Sequence, residues 1–407
     1  MRPSGSLVAS QARRGATTVT DPDEEIFIVS DFHLGDGEGE GQGAGADRIV
    51  GDRARHFASF VHWLAENVSP ATPRRLVLLG DTLDLPTHAS GSVVDGMRRW
   101  EGAAAAALER IADTHPAPFD ALSSFAVSGA RLELLAGNHD VALQLPAVRR
   151  VLLDRLGGDR GTVGWHPWSL HLRGLLWAEH GSQHHDLHAI PEWLSPPASR
   201  STWGLPPGRA IEALSVAAAR GRGPSRQVAA ASVAVATDVI ASAFARPALA
   251  RRRRAYRDRE LPSIAGGTDL PESVLAEIDR LSETDGWSIA SRLLRRRLGA
   301  GDSSSASFIG PAARRIHAIL AGANRSVSVY AFGHTHMPAV LPLGPSAPGA
   351  SYANAGSWAG IRPAALDRQV GPDRYPFLRI RSGPPGQPTV ELRLWNAAQE
   401  GVEAFLG

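Results

Sequence analysis

Ile26-Phe27-Ile28-Val29-Ser30-Asp31-Phe32-His33-Leu34-Gly35 decides how the rest of the chain is read. Four apolar, mostly β-branched or aromatic residues form a buried strand. The run then breaks into a carboxylate and an imidazole two positions apart. On a strand, a spacing of two aims both side chains at the same side. Together they could hold one cation, although D-x-H alone is a weak signal. Asp31 could equally cap a following helix.

The same grammar recurs down the chain. Leu76-Val-Leu-Leu79 runs into Gly80-Asp81-Thr82-Leu83-Asp84, and Leu132-Glu-Leu-Leu135 leads to Gly137-Asn138-His139-Asp140. Leu175-Leu-Trp177 closes on Glu179-His180-Gly181, and Val327-Ser-Val-Tyr-Ala331 on Gly333-His334-Thr335-His336. Helical stretches lie near 52–67 and 93–113. Strand and helix therefore alternate, which points to an α/β architecture. Open α/β sheets bind ligands beyond the carboxyl ends of their strands, where all five motifs stand. Taken singly, each motif has a plain structural reading as a cap, a turn or a hydrogen-bonded core histidine. Five such clusters in succession are hard to explain as caps, because buried carboxylates and imidazoles need a cation to offset their desolvation.

Composition narrows the alternatives. Of 407 residues, 43% are hydrophobic and 21% charged, the balance of a globular protein. The formal net charge is +2, and every cation is an arginine. Charge alone thus gives nucleic-acid binding little support. With no cysteine, disulfides, thiolate zinc sites and cysteine nucleophiles are excluded. Residues 1–25 read as a flexible tail. Arginines near their start have no apolar run behind them, so a cytoplasmic protein is expected. The region 338–395 reads as strands and turns. Between them, 187–315 is rich in Ala and Arg and reads as a helical insertion punctuated by Pro and Gly. Its weakly charged part and the run Arg251–Arg254, together 227–254, form a candidate for peripheral membrane contact. A packed helix followed by a solvated arginine run is the plainer reading.

The order D-x-H, G-D-x-x-D, G-N-H-D, H-G, G-H-x-H resembles that of the calcineurin-like metallophosphoesterases, over about Ile26 to Trp358. The resemblance implies a four-layer αββα sandwich of two mixed β-sheets flanked by helices. It splits the phosphoesterase domain into 26–186 and 316–400, with 187–315 as a lid. Carried over by position, Asp31, His33 and His336 would hold one metal, Asn138, His180 and His334 the other, and Asp81 would bridge them. Two divalent ions are implied; manganese is the leading expectation, and iron or zinc also suit nitrogen and oxygen donors. Cations about 3.5–4 Å apart can share a water and lower its pKa until it yields a bridging hydroxide that attacks phosphorus. His139 resembles the family's non-ligand histidine, which protonates or stabilises the leaving oxygen. Asp84 resembles the carboxylate that orients it.

Leu85 and Asp140 depart from the phosphoprotein phosphatase pattern. The layout is closest to the UDP-diacylglucosamine pyrophosphatase-like branch, through Ser30–Leu34, the long insertion, Gly333–Val340 and Asn354-Ala-Gly-Ser-Trp358. The insertion here is longer than in that branch, and His139 replaces its arginine. The substrate implied is a nucleotide-linked or lipid-linked phosphate ester or diphosphate. A nuclease or cyclic-nucleotide phosphodiesterase on the same fold is the alternative, and a non-catalytic scaffold is a further one. His184, His185, Asp186 and His188 could contact a substrate phosphate or support the ligands from behind. The already full ligand set favours support.

Overall fold

β1 (Glu25–Val29) is apolar on both faces because it is covered on both. In the computed structural model of the chain, Phe27 and Val29 join a core with Phe57, Phe60, Leu108 and Phe125. Those partners come from helices α1 (Ala44–Asn67), α2 (Val93–Thr114) and α3 (Pro116–Val127). Ile26 and Ile28 face the other way, into a second core with Leu176, Ala178, Val329 and Ala331. The structure describes residues 24–35, 44–69, 72–86, 93–158, 161–184, 188, 309–359, 373–383 and 388–405.

The neighbouring strands repeat this division in register. β2 (Arg74–Leu79) and β3 (Arg131–Leu135) pair in parallel with Leu76 opposite Leu132, both facing the helices. Val77, Leu79 and Leu135 face the second core. β4 (Val163–His166) extends the sheet beyond β3. On the other side β1 pairs antiparallel with β10 (Arg374–Arg381), followed by β11 (Thr389–Asn396) and β12 (Gly401–Ala404). The seven-stranded order is β12-β11-β10-β1-β2-β3-β4.

The second sheet has five strands in the order β5-β6-β7-β9-β8. These are β5 (Ser169–Leu172), β6 (Gly174–Glu179), β7 (Val327–Phe332), β8 (Ala339–Pro342) and β9 (Ser351–Asn354). Leu176, Ala178, Val329 and Ala331 point inward, while Trp177, Tyr330 and Phe332 pack outward against α5 (Ile309–Gly322). Helices, sheet, sheet and helix make the expected four layers. α4 (Pro146–Arg155) completes the first helical layer, with Val148 and Leu152 in its core. Away from the strand ends that carry the motifs, the inter-sheet layer contains charge. Arg75 lies buried between Glu24 (2.9 Å) and Glu133.

β1 begins at Glu25, the last residue of the expected tail, and α5 begins at Ile309, inside the expected insertion. Residues 1–23 and most of the expected insertion, including 227–254, lie outside the described residues. β6 and β7 are adjacent parallel strands, so everything from 180 to 326 leaves and re-enters the same sheet.

Candidate metal centre

All five motifs leave the ends of parallel strands, β1, β2 and β3 in one sheet and β6 and β7 in the other. Within each sheet, backbone hydrogen bonds join neighbouring motifs. Asp31 N donates to Gly80 O (3.2 Å), His33 N to Asp81 O (2.9 Å) and Gly333 N to His180 O (3.0 Å). The spacing of two does not act through a strand pleat, as the sequence led us to expect. β1 has ended at Val29 and β7 at Phe332. Instead Asp31, His33, Asp81, His334 and His336 all take positive φ, between 49° and 65°. Asp31 and His33 nonetheless fall in one group of potential ligands, whereas His334 and His336 fall in different ones.

Positive φ is uncommon outside glycine and is kept where the surroundings over-determine it. Asp31 is held by the Ser357–Ala359 segment. Its carbonyl accepts from Trp358 N (3.1 Å), Ala359 N (2.9 Å) and Ser357 Oγ (3.0 Å). Asn354 steadies the His334 loop by donating to Gly333 O (2.8 Å) and Thr335 Oγ1 (3.2 Å). Crowding requires glycine at Gly137 and at Gly333. A Cβ on Gly137 would fall on the Asp81 carboxylate, and one on Gly333 would fall on Ser30 Oγ.

The side chains converge into three overlapping groups: Asp31, His33 and His336; Asp81, His180 and His334; His33, Asp81 and His139. Within each group the ligand atoms all lie within 4.8 Å of one another. His336 Nε2 is 3.2 Å from Asp31 Oδ1. Asp81 Oδ2 stands 3.8 Å from His33 Nε2 and 3.1 Å from His180 Nε2, between the first two groups. Asn138 adds an oxygen, Oδ1, 3.2 Å from His180 Nε2. Asp31 Oδ1 and His33 Nε2 are buried without a hydrogen bond, although buried polar atoms normally have one. A cation between them would satisfy both. The residues present therefore fit a metal.

Orientation comes from behind. His33 Nδ1 donates to Asp84 Oδ1 (3.0 Å) and His180 Nδ1 to Leu79 O (3.0 Å), so each Nε2 faces the cluster. His139 Nδ1 also donates to Asp84 Oδ1, at 2.8 Å. Burial would push the Asp84 carboxyl up, but His33 and His139 together hold it well below the usual range. Burial is likewise outweighed at Asp81, which His180 and His139 keep well below that range. At Asp31 the opposing groups are His336 and His180. Burial works against a charged His180, yet Asp81 and Asp31 raise its pKa to about 9.

Asp140 had no role in the sequence reading beyond a departure from one branch, and it has a large one. Fully buried, it accepts from Gly137 N (2.6 Å), Thr82 N (2.8 Å) and Asp81 N (3.2 Å), clasping the second motif to the third. Burial, then the Asp81 charge, push its pKa up to about 7. Its place directly after Asn138 and His139 was the one signal in the sequence. Of the four polar residues after His180, His184 bonds the buried Glu179. His188 reaches Asn138 and His334. His185 and Asp186 lie outside the described residues.

No family model matches the sequence, and no curated protein does. Among solved structures, a phosphopantetheinyl hydrolase from Mycobacterium tuberculosis is similar at 12% identity, over 86% of this chain and 94% of that one. Its TM-score is 0.29, a likeness too slight to bear on activity. Among the described residues no helix is long and apolar enough to cross a membrane.

Proposed function

We propose that this chain is a dinuclear metal-dependent phosphoesterase of the calcineurin-like type. The observation that carries the reading is Asp81, one carboxylate placed between two imidazole-bearing groups. Asp31, His33 and His336 would hold one cation, and Asn138, His180 and His334 the other, with Asp81 shared. When bound, such a pair supplies charge to neutralise phosphoryl oxygens and lowers the pKa of water.

The chain's own residues do the rest. Asp84 fixes the His139 ring through Nδ1, which leaves Nε2 as the atom to carry a proton to the leaving oxygen. His139 also belongs to one of the three ligand groups, so its part as donor and not ligand is a claim to be tested. The bond cleaved would be a phosphate ester or diphosphate in a phosphorylated small molecule or lipid, nucleotide-linked substrates included. Contact with a membrane surface would run through 227–254. A scaffold without chemistry would have lost ligands, and all seven are retained.

The test is reconstitution of the purified chain with manganese, iron or zinc. It is then assayed against bis-p-nitrophenyl phosphate, p-nitrophenyl phosphate, cyclic nucleotides, a short DNA and nucleotide-diphospho-lipids. Uptake of two cations with turnover of one class is expected, and Asp81→Ala should abolish both. Failure to bind metal, or full loading with every substrate untouched, would defeat the proposal.

A further inference from the structure

A carboxamide ligand has a problem that a carboxylate lacks. Only its oxygen can face a cation, while its NH2 end repels one, and the two ends exchange by a simple half-turn of the side chain. Asn138 presents Oδ1 to His180 Nε2 at 3.2 Å. Its other end, Nδ2, lies 3.4 Å from Nδ1 of His188. The His188 ring also stands edge-on to His334, with centroids 5.0 Å apart and planes at 69°. His334 in turn stands edge-on to His180 at 5.2 Å. His188 thus touches two of the side chains assigned to one cation.

We infer that His188 is a positioning residue that sets the Asn138 amide, accepting from its NH2 through Nδ1 so that Oδ1 faces the metal. The inference rests on the metal reading above. It gives His188 the tautomer protonated at Nε2, because Nδ1 must accept. It also separates His188 from His184, which is engaged with Glu179.

The full-length chain, freed of metal, is titrated with manganese by calorimetry. Its thermal unfolding in chelator checks that each variant folds. His188→Ala should weaken binding at one site by about 10–100-fold, the usual cost of losing a partner behind a ligand. His188→Asn places an oxygen where Nδ1 stood and should restore affinity, whereas His188→Gln places its amide where Nε2 stood and should not. Asn138→Asp needs no orientation, since both carboxylate oxygens can coordinate. In that background His188→Ala should change affinity by no more than about twofold, because the coupled partner is gone.

Equal losses from His188→Ala in the native chain and in the Asn138→Asp background would overturn the inference. So would unchanged affinity in His188→Ala, or rescue by Gln and not Asn. If Asn138→Asp itself loses metal, the Asn and Gln replacements at 188 decide alone. Failure of the unmodified chain to bind manganese would instead remove the metal centre, and this inference with it.

Discussion

Replacing Asp84 by alanine should damage two functions at once, and replacing His139 should damage one. The sequence attaches Asp84 only to His139. In the fold, one oxygen of Asp84 accepts from His33 at 3.0 Å and from His139 at 2.8 Å. Loss of a group that aims a metal-ligating imidazole costs about 10–100-fold in metal affinity. The Asp84 side chain is 33% exposed, so water can replace part of what it provides. The expected loss is therefore at the low end, about tenfold. A positioned general acid contributes about 10²–10⁴ in rate, which sets the range for His139→Ala. Metal affinity is read by manganese titration, and kcat at saturating manganese, so that weak binding cannot pass for slow chemistry. Two diesters are compared, one with an aryl and one with an alkyl leaving group. The aryl oxide needs little protonation, so the defect of His139→Ala should be larger with the alkyl ester. Stripping of metal by His139→Ala would make that histidine a ligand. A defect equal for both esters would show that it donates no proton. Wild-type affinity in Asp84→Ala would end the claim that this carboxylate aims His33.

Metal binding should tighten with pH. Burial favours loss of the His180 proton, but Asp81 and Asp31 raise its pKa to about 9, and a cation must displace that proton. Affinity should climb by up to about tenfold per unit between pH 7 and 9, with proton release visible in buffers of different ionisation heat. A flat profile would contradict this. The same raised pKa predicts that the stability His180 gives the metal-free chain is complete below its unfolded pKa and is lost as pH rises through about 9. Gly137→Ala, whose Cβ would strike Asp81, should cost about 1–3 kcal/mol in urea unfolding and lower metal content. Stability unaltered and metal retained would show that the loop can yield. Trp358→Ala should cost about 3–5 kcal/mol, since the ring is fully buried, stacks on Tyr375 at 4.5 Å and donates to Pro376 O. A loss under about 1 kcal/mol would mean that this cluster supports little of the core.

The strands that carry the motifs, in both sheets, could be read locally. β1, β2, β3, β6 and β7 are apolar runs closed by polar motifs, and the chain states that pattern residue by residue. β4 and β5 were not seen. They are four-residue strands, and β4 is only half-buried, too short and too mixed to show a period. α3 was missed because it is broadly apolar, with Pro118, Phe119, Leu122 and Phe125 all buried and little contrast between its faces. The left-handed backbone at Asp31, His33, Asp81, His334 and His336 carries no signature of its own, since the residues are not glycines. Asp84 and Asp140 were visible as carboxylates, but, Gly137 apart, the partners named for them lie more than 50 positions away along the chain.

What the amino-acid order determined by itself was chemical. It set which donors exist, oxygen and nitrogen without sulfur, and placed each at the end of an apolar run that had to become a buried strand. Which atom of each donor faces which was decided only when two sheets closed on a shared apolar layer. Cross-loop hydrogen bonds then held five residues in a conformation that isolated peptides avoid. Local preferences act over a few residues, whereas Asp31 meets its backbone partner His334 303 positions later. Only the packed tertiary structure brings such distant partners together.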